Sequence, residues 1–522
     1  MLNFPAFGET EYFENQENAT SRVRMIPNVD ESVFDAYCAF YEANGFLKKE
    51  EYQESTHCFA AFFDGARGVF VNYFGAVREL IVTVESDCRY FSYEDTSASA
   101  CVSPQITQVL LEDYGMSYAI RLSDGRFIVI DGGRNFEPDA DRLFVCLKDG
   151  SHAEKPIIAA WIMTHPHGDH FHCFLGFMEK YADAVTIEKF LLNFPEAEDY
   201  GHYPHLELVA DPDYPDQKGS DYVRRMWDMI QARNIPVYTA HTGQTYQIGD
   251  AVCRILACMD DTIHRSQNIN MSSLVIRMEL GGQTILWATD ASFGEAKLTE
   301  KYGDLLRADI LQVPHHGFQC GSADAEIAGY RLIQPKVCLL PVSDYTAYRF
   351  FCVHKPSARY LMTDANVDEI ITGETQRTIT LPYTAPADAK LKQKNKVMDG
   401  LCGAGSAVWV FTDLFTDRPE DFEFTLLNTT VVESKVWIEL YFEDRAQRIL
   451  FIEAKAPKYA LKKLCIVGDE VNGDDALYYN PSSLKKKGIP EHAPFAVRFI
   501  SDVPIVVSHK EHKASYCSDF HA

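Results

Sequence analysis

The string Thr164-His165-Pro166-His167-Gly168-Asp169-His170 gathers three imidazoles and a carboxylate into a very short stretch of chain. Such groups converge only where the backbone turns sharply, and Pro166 and Gly168 allow that turn. Imidazole and carboxylate are borderline-hard donors suited to Zn²⁺, Fe or Mn²⁺. Two histidines at i and i+2 can serve one cation, while Asp and His at i+4 and i+5 serve another. The bland alternative is a histidine-rich surface loop. Against it stands the context, an apolar strand pattern before the string and a helical pattern after it, where chance matches are rare.

The elements that must position these groups can be read outward from the string. Ile157–Met163 is a continuous apolar run of strand length, and Phe171–Tyr181 has helical periodicity. From about residue 104 to 386 strands alternate with helices. Ile106–Leu111, Ser117–Leu122 and Arg126–Ile130 form a meander, with the turn Ser123-Asp124-Gly125 before the last. Ser273–Glu279 and Gln283–Trp287 read as a hairpin around Gly281-Gly282, and Ile310–Val313 as a short buried strand. Acidic and histidine residues repeatedly fall just beyond strand ends, as in Asp131-Gly132-Gly133, Thr289-Asp290 and His315-His316-Gly317. Loops at strand ends are where α/β folds build their sites. Taken alone, Asp131-Gly132-Gly133 would be a plain turn.

Residues 1–103 form an α+β accessory module without a catalytic signature. Asn28 or Asp30 caps a helix with the apolar face Val33, Phe34, Tyr37, Cys38 and Tyr41, and three strand-like runs follow at His57–Phe63, Gly68–Phe74 and Glu79–Val84. The polar, basic, glycine-rich stretch 387–405 reads as a linker, and residues 406–522 as a β-sandwich-like domain with strands near Ala407–Thr412, Phe422–Leu427, Lys435–Phe442 and Arg448–Glu453.

Composition narrows the function classes. The 522 residues exceed what one core of roughly 250–300 residues holds, so several domains are expected. A formal net charge of −26 repels polyanions, so long nucleic acid is not an expected partner, whereas a small anion remains open because a local cation overrides the average field. Neither a secretory leader nor a run of roughly 18 apolar residues is visible, so no membrane partner is expected. Fourteen cysteines occur singly, with no CxxC pair and mostly inside apolar runs, the usage of reduced thiols. A cytoplasmic location is therefore expected.

With the ligand string and its context established, the sequence resembles the metallo-β-lactamase superfamily, whose HxHxDH signature is matched by His165, His167, Asp169 and His170. The resemblance covers roughly residues 104–386 and implies an α/β fold, an αββα sandwich, holding two divalent metal ions, Zn first and Mn or Fe as alternatives. Asp131 then looks like the upstream aspartate that orients the metal loop without binding metal. Asp290, in Trp287-Ala288-Thr289-Asp290, resembles the carboxylate that bridges both metals, although Ala288-Thr289 departs from the usual small pair. His315 resembles the last ligand, with His316 the alternative. The middle histidine is missing: Asn268-Ile269-Asn270-Met271-Ser272-Ser273-Leu274-Val275 stands in its place. That version, the His-His-Gly and the downstream Val353-His354-Lys355-Pro356 look like the hydrolase domain of bacterial DNA-uptake competence proteins and the related phosphorylcholine esterases. His264 and Asn270 are the candidates for the open position, and His241 is a weaker one.

The chemistry this implies is hydrolysis by a water bridging two metals roughly 3.5–4 Å apart, which supplies hydroxide near neutral pH. Asp169, Asp290, His316 and His354 are the side chains expected to carry catalysis, Asp290 by taking or returning a proton and His354 as an acid or phosphate contact. His202 and His205, beside Tyr200 and Tyr203, either line the entrance or pack a loop. The expected substrate is a small phosphate ester or phosphodiester. Hydrolysis of a lactone, amide or thioester is the alternative reaction, and a binding protein with a vestigial metal site the alternative class.

Overall fold

The computed structural model describes residues 4–7, 11–16, 20–54, 56–91, 102–112, 115–134, 136–195, 197, 219–259, 268–402, 406–415, 422–430, 432–442, 450–456, 460–465 and 494–511. The chain divides into two compact units, residues 1–347 with 354–394, and residues 348–353 with 395–522.

The first unit is built on two facing sheets. One runs in the order Val237–Thr239, Phe190–Leu192, Ile157–Met163, Phe127–Asp131, Ser117–Arg121, Gln105–Gln108, Arg377–Thr380. The other runs Thr245–Ile248, Ala251–Ala257, Val275–Leu280, Gln283–Trp287, Ile310–Gln312, Val337–Leu340, Glu369–Thr372. Side chains alternate across a strand, so each strand of the first sheet serves two cores. Ile128, Ile130 and Ile162 point between the sheets, where they meet Tyr246, Ile255, Ile276, Met278 and Trp287. Val129, Trp161 and Met163 point the other way, onto Leu143 and Leu147 of α1 (Phe136–Gly150), Phe174 and Phe177 of α2 (Gly168–Tyr181), and Val223 and Met226 of α3 (Gly219–Ala232). Burial on both faces explains the unbroken apolar runs of the central strands. On the second sheet, α4 (Ala323–Ile333) and α5 (Pro356–Thr363) link the parallel strands Ile310–Gln312, Val337–Leu340 and Glu369–Thr372. The result is the αββα sandwich expected from the sequence.

The N-terminal module belongs to the same compact unit. Its six strands run Phe13–Gln16, Ser21–Ile26, Glu79–Glu85, Gly68–Phe74, His57–Phe63, Leu47–Gln53, all antiparallel. One face packs Phe62, Val69, Val71 and Val82 against Phe34, Tyr37 and Tyr41 of the helix Glu31–Ala43, which Asp30 precedes as N-cap. The opposite face carries His57, Phe59, Phe70 and Asn72 onto the sandwich, where Asn72 donates to the Thr242 carbonyl at 2.9 Å and Phe70 stacks on His241 at 4.2 Å.

In the second unit the long strand Pro494–Glu511 pairs along its first half with Ser434–Phe442 and along its second with Phe422–Asn428, and the Phe424 ring lies 5.0 Å from that of Phe499. The stretch read as a linker is helical over Ala389–Cys402. The physical reason is local: Ala389–Met398 holds good helix formers, and the glycines that suggested a linker fall at the end.

Candidate metal centre

The ligand string leaves the buried strand Ile157–Met163 and enters α2 at Gly168. A Cβ at Gly168 would lie 2.5 Å from the His172 ring, so the tight entry into the helix requires glycine there. The string is tied to the neighbouring strand end by Asp131, whose backbone has φ 55. Its carboxylate accepts from the Thr164 backbone N–H and hydroxyl, both at 2.8 Å, and meets His170 Nδ1 at 2.7 Å. The Gly132 N–H donates to the His170 carbonyl at 2.7 Å. Asp131 therefore fixes the orientation of His170 and leaves Nε2 facing the centre.

The opposite wall comes from the second sheet. Thr289 has φ 50, His315 φ 49 and His316 φ 53, a run of strained residues of the kind that clusters at functional sites. Hydrogen bonds hold the strain: Thr289 Oγ1 donates to the Leu274 carbonyl at 3.0 Å, its N–H donates to Gln312 Oε1 at 2.5 Å, and the His315 N–H donates to the Thr289 carbonyl at 2.8 Å. Sequence reasoning missed Gln312, which is fully buried between apolar neighbours. A lone amide in a core strand was the available signal.

Six side chains meet as two groups with ligand spacing, His165 with His167 and Asp290, and Asp169 with His170 and His316; within each group the ligand atoms lie within 4.8 Å of one another. Asp290 stands between them, with Oδ2 3.7 Å from His165 Nε2 and 3.3 Å from His170 Nε2, and Oδ1 3.5 Å from His316 Nε2. The second group closes on His316, whose Nε2 is 3.2 Å from Asp169 Oδ2. His315, preferred from the sequence, instead lies 3.9 Å from Asp290 Oδ2 and 3.4 Å from Asn270 Nδ2. Successive left-handed residues turn His316 inward and leave the His315 side chain 29% exposed.

Of the remaining candidates, Asn270 is buried in the turn Ile269–Ser272 and reaches the centre through His315, while His264, His202 and His205 lie outside the described residues. His241 is drawn elsewhere, its Nε2 3.0 Å from Glu85 Oε2. His354 is half-buried in the turn Cys352–His354 and is not among the ligand-spaced side chains.

The donor set fits divalent cations. Asp290 is 1% exposed, yet neither of its oxygens accepts a well-formed hydrogen bond, and the Asn270 Oδ1, His315 Nδ1 and His316 Nδ1 atoms are likewise buried without one. A buried carboxylate left so is costly unless it meets a cation. Ring nitrogens also face one another, His165 Nε2 with His167 Nδ1 at 3.2 Å and His170 Nε2 with His316 Nε2 at 3.1 Å. Burial pushes His167 down to about 4 and His165 well below the ordinary histidine value, which keeps both as neutral donors. For His170 burial acts in the same direction, but Asp290, Asp131 and Asp169 overcome it and raise the group well above that value. The three carboxylates thus draw positive charge to this point strongly enough to outweigh desolvation.

No family model matches the chain, and no curated protein matches it. Among solved structures it is similar to the metallo-beta-lactamase fold protein YhfI from Bacillus subtilis, at 12% identity over 57% of this chain and 93% of that one, with a TM-score of 0.28. It is similar to Igni18, described as a metallo hydrolase from the archaeon Ignicoccus hospitalis, at 11% identity over 53% of this chain and 99% of that one, with a TM-score of 0.30. The Anabaena sensory rhodopsin transducer is similar at 20% identity over 21% of this chain and 92% of its own, with a TM-score of 0.16.

Proposed function

We propose that the protein is a metal-dependent hydrolase that holds two divalent cations, zinc first among them, and cleaves a small phosphate ester or phosphodiester. The observation that carries this reading is Asp290, a buried carboxylate that accepts no well-formed hydrogen bond, belongs to one group of ligand-spaced side chains and lies against His170 and His316 of the other. A bound cation pair would supply Lewis acidity, acidifying water and polarising the oxygen of the bond to be cut. The chain's own residues do the rest. His165 and His167 offer neutral imidazoles, Asp131 locks His170 in one orientation, and Asp290 lies where a proton can be taken up and returned. The choice of a phosphate ester rests on the resemblance carried by Asn270, His315-His316-Gly317 and His354-Lys355-Pro356.

The same reading includes a reducing, cytoplasmic setting. Ten cysteines of the described residues are buried and free, which supports it, and no helix among those residues is long and apolar enough to cross a membrane.

The test is metal analysis of the purified protein together with hydrolysis of bis-p-nitrophenyl phosphate. About two equivalents of metal and turnover that chelation abolishes are expected. Turnover of lactones or thioesters without phosphodiesterase activity would replace the substrate, and absence of stoichiometric metal would overturn the reading.

A further inference from the structure

The open side of the centre can be located from exposure. His165, His170, Asp290 and His316 are at most 1% exposed, whereas the Asp169 and His315 side chains keep 17% and 29%. The open rim of the centre is therefore formed by His167, Asp169 and His315, of which His315 leads on to further side chains. Beyond His315 the rim continues to Phe318, whose ring centroid is 6.0 Å from the His315 ring, and then to Lys355, whose Nζ stands 5.9 Å from the Phe318 ring. Lys355 is half-buried directly before α5, with Pro356 fixing the backbone behind it.

We propose that Lys355 is the charge-recognition residue of this site and holds a negatively charged group of the substrate, so that the substrate is an anion whose charge lies beside the bond to be cut. The inference rests on the hydrolase reading above and names its substrate class. Among the described residues Lys355 forms no ion pair. Its contact with the Phe318 ring, at 5.9 Å, is a weak cation–π contact that leaves the ammonium able to bind an anion. The neighbouring carboxyl of Glu326 is 3% exposed, turned onto the Cys320 N–H, and burial raises its proton affinity even though Lys355 opposes the shift. In a chain of net charge −26, an ammonium beside Phe318, one ring away from His315, gives an approaching anion a local attraction that the average field withholds.

The competing assignment is structural, with Lys355 merely balancing Glu326. Full-length protein as purified, wild type, Lys355→Gln and Lys355→Arg, separates the two. Calorimetric titration with inorganic phosphate should show about tenfold weaker binding in Lys355→Gln, the size of one lost charge-assisted hydrogen bond, with most of it restored by Lys355→Arg. Hydrolysis should show the same split: kcat/KM for bis-p-nitrophenyl phosphate, relative to the neutral triester diethyl p-nitrophenyl phosphate, falls about tenfold through KM rather than kcat. Equal phosphate affinity in wild type and Lys355→Gln, no phosphate binding to the wild type, or equal loss on both esters with a lowered Tm would overturn the inference. Phosphate binding that depends on Lys355 without turnover of any ester would uphold it while removing the hydrolase reading.

Discussion

Two clusters of buried histidines and carboxylates lie in the first unit, and they are arranged on opposite principles. At the seam between the N-terminal module and the sandwich, donors face acceptors: His57 Nε2 meets Asn72 Oδ1 at 2.9 Å, Thr239 Oγ1 donates to Glu85 Oε1 at 2.8 Å, and His241 Nε2 meets Glu85 Oε2 at 3.0 Å. At the candidate metal centre ring nitrogens face one another, His170 Nε2 and His316 Nε2 at 3.1 Å, and the ring nitrogens of His165, His170 and His316 crowd Asp290 without a well-formed hydrogen bond. Burial and residue types are alike in the two places. What marks the second as a site is that no well-formed hydrogen bond reaches the buried Asp290 carboxylate while ring nitrogens converge on it, an arrangement that is costly unless positive charge is held there.

The sharpest break in this comparison comes from the ligands. His167→Ala and Asp169→Ala should each abolish hydrolysis, by about 10³-fold or more, and each should lower metal content, since the two side chains belong to different groups. Full activity in either variant would remove the metal assignment. Asp131→Ala should cost about 10–100-fold in activity or metal affinity and lose less metal than the ligand variants, because Asp131 acts through His170. Metal loss equal to that of His167→Ala would place Asp131 among the ligands instead.

The seam should respond in stability and not in metal. Glu85→Ala strips both His241 and Thr239 of their partner and should destabilise the first unit by about 3 kcal/mol, read by denaturant unfolding, with metal stoichiometry unchanged. His57 sharpens the contrast through pH. Burial lowers it to about 3 from the ordinary 6.5, so below pH 6.5 the unfolded chain takes up a proton that the folded one refuses. Stability from this group is full above pH 6.5 and is lost as pH falls towards 3, at up to about 1.4 kcal/mol per pH unit. The stability gap between wild type and His57→Gln should therefore narrow between pH 7 and pH 5, and a constant gap would disprove the assignment. The smallest effect is expected at His264→Ala, which should leave both metal equivalents and the rate nearly unchanged, because Asn270, closer in sequence to the strand Val275–Leu280, already meets His315 at 3.4 Å. Loss of one equivalent in that variant would make His264 a ligand.

Much of this arrangement was legible in the sequence where local pattern decides structure. Ile157–Met163 and Gln283–Trp287 appear with the bounds read from their apolar runs, and Asp131, Asp290 and the ligand string fall at strand ends as expected. The choice between His315 and His316 was not legible, since it depends on two left-handed residues held by Thr289 and Gln312 from a neighbouring strand. The fate of His241 was hidden for a similar reason: its partner Glu85 is 156 residues away and belongs to another sheet. Lys355 entered the sequence reading only as part of Val353-His354-Lys355-Pro356, and its neighbourhood with Phe318 is a tertiary contact that local pattern does not reveal.

The edge strand Arg377–Thr380 has a consequence for the order in which the protein is made. It completes the first sheet by pairing with Gln105–Gln108, and Thr107 and Thr378, hydrogen bonded at 2.9 Å, are 271 residues apart. At ribosomal speeds of roughly 5–20 residues per second, the early strand emerges on the order of 10–50 s before its partner exists. During that interval the Gln105–Gln108 edge is an unpaired template for other chains. A nascent chain halted before residue 377 should accordingly be more prone to aggregation than its length alone would suggest, and the last strand of the sandwich acts as the cap that ends this exposure.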